Sequence, residues 1–159
     1  MNNSGPFPEW TEAISVGVDC LDEDHQAFFR LSALLREILS SPGEHQEPLI
    51  DTALNILEEY IEGHFLREQI AMAEVEYPLL ADHVAAHDAF AARVGRIAGD
   101  YRECGERSGL VTLCGLVTSW IYDHIRTMDA RYHGILTCAN VDDRPLAFLA
   151  AAIDADLEF

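Results

Sequence analysis

The chain has 159 residues, the length of one domain, and 49% of them are hydrophobic, which is enough for a packed core and excludes a disordered chain. Ten Lys and Arg stand against 28 Asp and Glu, a formal net charge of −18. That balance excludes a nucleic-acid binder, which needs a basic face, and opposes docking on an anionic membrane. No run approaches the ~18 apolar residues of a membrane span, so no membrane insertion is expected. The opening MNNSGPFPEW has no basic region followed by an apolar stretch, so no secretory signal is expected either. Cys20, Cys104, Cys114 and Cys138 are scattered without a CxxC pair. They read as free thiols of a cytoplasmic protein.

In chain order, residues 1–18 hold Gly5, Pro6, Pro8 and Trp10 and read as an extended arm whose Trp packs on the body. Asp19 or Asp22 can cap a first helix. In it Leu21, His25, Phe28, Phe29, Leu31, Leu34, Leu35 and Ile38 recur at helical spacing, until Ser40-Ser41-Pro42-Gly43 ends the pattern. A second helix is predicted from near Pro48, a first-turn proline, with Leu49, Ala53, Leu57, Tyr60, Ile61, His64, Glu68 and Met72 along one broad face. Tyr77-Pro78 breaks it, because the residue before a proline is pushed out of helical geometry.

A third helix is predicted over 79–101 and a fourth over 110–136, separated by a turn over 103–109 with two glycines. Leu113, Leu116, Val117, Trp120, Ile121, His124 and Met128 form the inward face of the fourth. After Cys138, Pro145 can open a short helix with Leu146, Phe148, Leu149 and Ile153 apolar, which either caps the bundle or docks a protein partner. The expected fold is therefore all-α: an antiparallel up-down four-helix bundle over 19–136, with an arm at 1–18 and an extension at 137–159.

The placement of the histidines carries the chemistry. His64 and Glu68 are four apart on the second helix, and His83 and His87 four apart on the third. Residues four apart share one helix face, so each pair can aim two side chains at one point. His25 and His124 lie on the apolar faces of the remaining helices, and Asp129 follows His124 by five. A lone inward histidine is more often a hydrogen-bonded core residue than a ligand. Five imidazoles and two carboxylates buried together are costly unless something compensates them, and a metal pair does. His45 and His133 fall outside the pattern and read as surface residues.

No cysteine belongs to the set, which sets aside iron–sulfur clusters and structural Cys-zinc sites. Imidazole with carboxylate suits iron, and equally zinc, copper or nickel. Seven ligand groups exceed one ion and fit two octahedral ions, with Glu68 and Asp129 as bridges because a carboxylate has two oxygens. A spacing of five leaves Asp129 ~140° round an ideal helix from His124. A local bulge or a sideways reach is needed to bring the two together.

His64-Phe65, Glu68, Met72, Tyr77-Pro78, His83, His87 and Phe90 are similar to the central signature of bacterial hemerythrins. Trp120-Ile121, His124-Ile125, Asp129 and Tyr132 resemble that family's fourth-helix signature, and Asp24-His25-Gln26 with Trp10 its arm and first helix. The resemblance runs from about Trp10 to Leu136. It implies two non-haem irons with an oxo or hydroxo bridge: one held by His83, His87 and His124, the other by His25 and His64, with Glu68 and Asp129 bridging. It further implies dioxygen as the ligand, bound reversibly for storage, delivery or transport at the second iron. Phe65, Trp120, Ile121, Ile125 and Tyr132 match positions around the family's apolar oxygen pocket.

Two departures stand out, the long extension and Gln69, where related sequences often carry an acid. Gln69 is expected not to matter for ligation, since it points away from Glu68. No Glu-x-x-His occurs, unlike the carboxylate-rich bundles that activate oxygen, so binding is favoured over catalysis. An oxygen or redox sensor acting through the extension, and a ferroxidase or peroxidase, are the alternatives.

Overall fold

The computed structural model describes residues 7–41, 43, 46–149 and 151. It contains four long helices: α1 (Asp19–Ser40), α2 (Gln46–Glu74), α3 (Leu80–Cys104) and α4 (Ser108–Thr127). Two 3-10 turns, Glu12–Ile14 and Asp129–Tyr132, flank them. Helix α1 packs on α2 and α4, and α3 packs on the same two. With short connections, this is the up-down ring of an antiparallel bundle. No described helix is long and apolar enough to cross a membrane.

Alternating direction explains why the histidines meet. His25 and His83 lie near the starts of α1 and α3, whereas His64 and His124 lie near the ends of α2 and α4. Antiparallel neighbours bring those four ends to one end of the bundle. The other end is closed by mainly apolar packing, in which Leu35, Leu54, Leu57, Val94, Leu110 and Leu113 are buried. Leu34 and Leu49, which the periodicity placed inward, are exposed, because they sit at the margins of broad apolar arcs.

The boundaries show local chemistry. Gly105 adopts a left-handed conformation (φ 68°), and its N–H donates to the Tyr101 carbonyl at 2.7 Å to close α3. Asp22 does not cap α1. Its carboxylate instead accepts from Ser15 Oγ at 2.5 Å and Val16 N at 2.9 Å, pinning the arm to the helix. Trp10 is half-buried against the core, as expected of the arm.

The fourth helix is shorter than its predicted span of 110–136. It ends at Thr127, Met128 departs from helical geometry (φ −113°, ψ −56°), and a 3-10 turn carries Asp129–Tyr132. An unbroken helix would aim Asp129 away from His124; tightening the backbone here turns Asp129 and Tyr132 inward, and both are buried. Beyond it, Leu136, Val141 and Leu149 are buried, and residues 146–149 are helical. Ile153 and His45 lie outside the described residues, and His133 is exposed as expected.

Candidate metal centre

His25, His64, Glu68, His83, His87, His124 and Asp129 are all buried at the histidine end of the bundle. Ligand atoms of Glu68, His83, His87 and His124 lie within 4.8 Å of one another, and so do those of His25, His64 and Glu68. In the first group His124 Nε2 stands 3.0 Å from His83 Nε2 and 3.1 Å from His87 Nε2. Three imidazole nitrogens thus converge on one small volume.

The two carboxylates span the two groups. Glu68 Oε2 lies 3.2 Å from His87 Nε2 and 3.6 Å from His83 Nε2, while Oε1 lies 3.5 Å from His64 Nε2 and 3.8 Å from His25 Nε2. Asp129 Oδ1 is 3.0 Å from His83 and 3.1 Å from His124, and its Oδ2 is 3.2 Å from His25. Each acid therefore offers one oxygen to each set of imidazoles.

Hydrogen bonding does not satisfy this cluster. Both ring nitrogens of His25, Glu68 Oε2 and both oxygens of Asp129 are buried without a hydrogen-bond partner. Buried polar atoms are almost always paired, so seven converging groups, three of them (His25, Glu68 and Asp129) with unpartnered atoms, fit a cation. The donor set, imidazole and carboxylate without thiolate, fits iron among the imidazole-binding metals.

Electrostatics agree with a site short of positive charge. Burial opposes the charged form of His25, but Asp129 and Glu68 outweigh it and raise its pKa to about 10. His83 is raised to about 9 against the same burial penalty by the same two acids. Burial wins at His87, whose pKa is lowered. Burial would push Glu68 and Asp129 up, yet the surrounding histidines hold both carboxyls well below their ordinary range.

The shell around these groups was only partly legible. Tyr132, expected as a pocket wall, donates its hydroxyl to Glu68 Oε1 and stacks its ring on His83. Phe65 lies flat on His87 (3.7 Å between centroids) and Trp120 on His124 (4.3 Å). Ile121 and Ile125 are buried in the core. Phe28, not singled out as a wall, meets the His64 ring edge-on at 5.3 Å.

Gln69 corrects an expectation. Its side-chain amide lies 3.0 Å from His87 Nδ1, so it bears on a candidate ligand although it does not face Glu68. The amide atom placed there is the nitrogen Nε2; with His87 Nε2 turned to the centre and the proton on Nδ1, the amide must turn over to present its oxygen as acceptor. Asp24 and Arg67 were missed as well: Asp24 Oδ2 lies 3.0 Å from His64 Nδ1 and 2.9 Å from Arg67 Nε. A signal existed in Arg67, an arginine three residues after His64 on the inward side of a helix.

A four-helix bundle with two imidazole groups joined by two carboxylates defines a helical domain able to hold metal. The profile of the Hemerythrin HHE cation binding domain matches residues 16–136, and the chain belongs to that family. The chain is 24% identical to a bacteriohemerythrin of Stenotrophomonas maltophilia over 77% of its length and 77% of the relative's. It is 26% identical to a bacteriohemerythrin of Clostridium acetobutylicum, over 77% of this chain and 96% of that one. With hemerythrin subunit 2 of Golfingia vulgaris it shares 25% identity over 81% of this chain and 96% of that one. No solved structure matches the chain significantly.

Proposed function

We propose that this chain holds two non-haem irons with an oxo or hydroxo bridge and binds dioxygen reversibly, for oxygen storage, delivery or transport. His83, His87 and His124 would hold one iron, His25 and His64 the other, with Glu68 and Asp129 bridging. The observation that carries the reading is the division of each buried carboxylate between the two imidazole groups. When bound, an iron pair supplies a reversible exchange of electrons with dioxygen.

The chain's own residues favour reversibility. One group has three imidazoles and the other two, so the second leaves more room for a small ligand. Phe65 and Trp120, stacked on His87 and His124, form dry walls that hold water and stray protons back. Tyr132 holds Glu68 in place through its hydroxyl. Free thiols at Cys20, Cys104, Cys114 and Cys138 suit a cytoplasmic address.

A second reading, an oxygen or redox sensor that acts through the extension, draws support from the contact between Arg67 and the Asp142 carbonyl. Metal analysis with visible spectra recorded reduced, in air, and after oxygen removal tests both. Two irons per chain and an absorption that appears in air and vanishes on deoxygenation support the oxygen binder. Irons that oxidise once without reverting move the assignment to the sensor or to a di-iron oxidant, and a chain without iron overturns it.

A further inference from the structure

The two imidazole groups are supported differently. His87 Nδ1 meets the neutral amide of Gln69. His64 Nδ1 meets the carboxylate of Asp24, which is buried and ion-paired to buried Arg67. Arg67 uses its other arm to donate through Nη1 to the backbone carbonyl of Asp142, outside the four helices. A chain of hydrogen bonds therefore runs from the C-terminal extension to a group in the centre.

The extension is seated by packing of its own. Val141 and Leu149 are buried. Leu146 lies so close to Gly63 that a Cβ on that glycine would fall 2.9 Å from Leu146 Cβ. Gly63 immediately precedes His64, so the extension rests on α2 beside the candidate ligand. Between the extension and the bundle lies a cavity of about 520 Å³, whose lining includes Asp24, Arg67, Asp143 and Leu146. If the extension lifts, Arg67 loses the Asp142 carbonyl and its hold on Asp24 loosens.

We propose that the C-terminal extension clamps the metal centre: by way of the Asp142 carbonyl, Arg67 and Asp24, its seating sets the tautomer, orientation and donor strength of His64. Asp24 and Arg67 are positioning residues, and their effect on iron rests on the reading of His64 as a ligand. A carboxylate on Nδ1–H leaves Nε2 as the free donor atom and raises its basicity. A buried arginine gripping both the carboxylate and the extension couples that setting to whether the extension is seated.

The test uses the full-length chain. In metal-free protein labelled with nitrogen-15 at histidine, the His64 ring should show a protonated Nδ1 whose hydrogen exchanges slowly. Asp24→Asn and Arg67→Met should each speed that exchange at least tenfold while the helical circular dichroism is retained. Gly63→Ala and Leu149→Asp, which unseat the extension without touching the relay, should do the same, and should add nothing in an Arg67→Met background. In iron-loaded protein, Asp24→Asn should raise the midpoint potential, and Gly63→Ala should move it in the same direction by less. An unchanged His64 signal in folded Gly63→Ala and Leu149→Asp overturns the clamp, and so does an equal response with and without Arg67. A wild-type chain that takes up no iron defeats the di-iron reading alone, because the metal-free signals still decide the relay.

Discussion

Replacing Glu68 with glutamine keeps the side chain's size but removes the charge that both imidazole groups share. Glu68 is fully buried, its two oxygens divide between His83 and His87 on one side and His25 and His64 on the other, and Tyr132 donates to it. A neutral amide offers one acceptor oxygen, and its NH2 group faces imidazole nitrogens where a metal would stand. Removing a residue that only supports a ligand costs about 10–100-fold in metal affinity. Loss of a bridge should cost at least the upper end of that range, about 100-fold or ~2.7 kcal/mol for each ion at ~1.36 kcal/mol per decade. Iron per chain after reconstitution and desalting is the assay, with wild type prepared in parallel. Glu68→Gln should retain less than half the wild-type iron and lose the air-dependent absorption. Two tightly held irons with an unaltered spectrum in that variant would refute the bridging role.

The metal-free chain should lose stability as pH rises from about 7 to 10. His25 and His83 have folded-state pKa values of about 10 and 9, above the ~6.5 of an unfolded histidine, so their stabilisation is complete below ~6.5 and vanishes as pH passes through 9 to 10. On the acid side, Glu68 and Asp129 are depressed and stabilise above the ordinary carboxylate range, a contribution lost as pH falls below it. A melting temperature that stays level or climbs between pH 7 and 10 would contradict the first of these. Tyr132→Phe removes the hydroxyl donor to buried Glu68 and should lower stability by about 1.5–3 kcal/mol, read from urea midpoints. An unchanged midpoint would mean that the bond contributes nothing net. Ile121→Ala opens a cavity in the core and should cost about 2–5 kcal/mol, and, if Ile121 walls the oxygen pocket, should speed autoxidation of the iron-loaded protein. Unchanged kinetics would place Ile121 outside the oxygen pocket.

Much of this was written in the one-dimensional pattern because helices convert spacing into direction. His64 with Glu68 and His83 with His87 had to share faces once their segments were helical, and the apolar periodicity around them required those faces to point inward. The all-α fold and the two paired signatures on α2 and α3 follow from that alone. The shorter fourth helix could not be read in the same way. Both a continuous helix and a broken one keep Leu113, Val117 and Ile121 inward, and only the need to turn Asp129 toward His83 and His25 separates them.

Long-range pairing is what the tertiary structure alone decided. Asp24 and Arg67 are 43 residues apart, and Arg67 and Asp142 are 75 apart, so no local rule of spacing joins them. Gln69 reads as a neighbour that points away from Glu68 until α3 brings His87 Nδ1 to it. Tyr132 reads as an apolar wall until the turn after α4 delivers its hydroxyl to Glu68. By itself, the sequence determined which residues each helix sends inward, because helical periodicity is a property of one segment. The partners of those residues depend on how separate segments pack, and that decided which imidazoles share a carboxylate and which is tied to the extension.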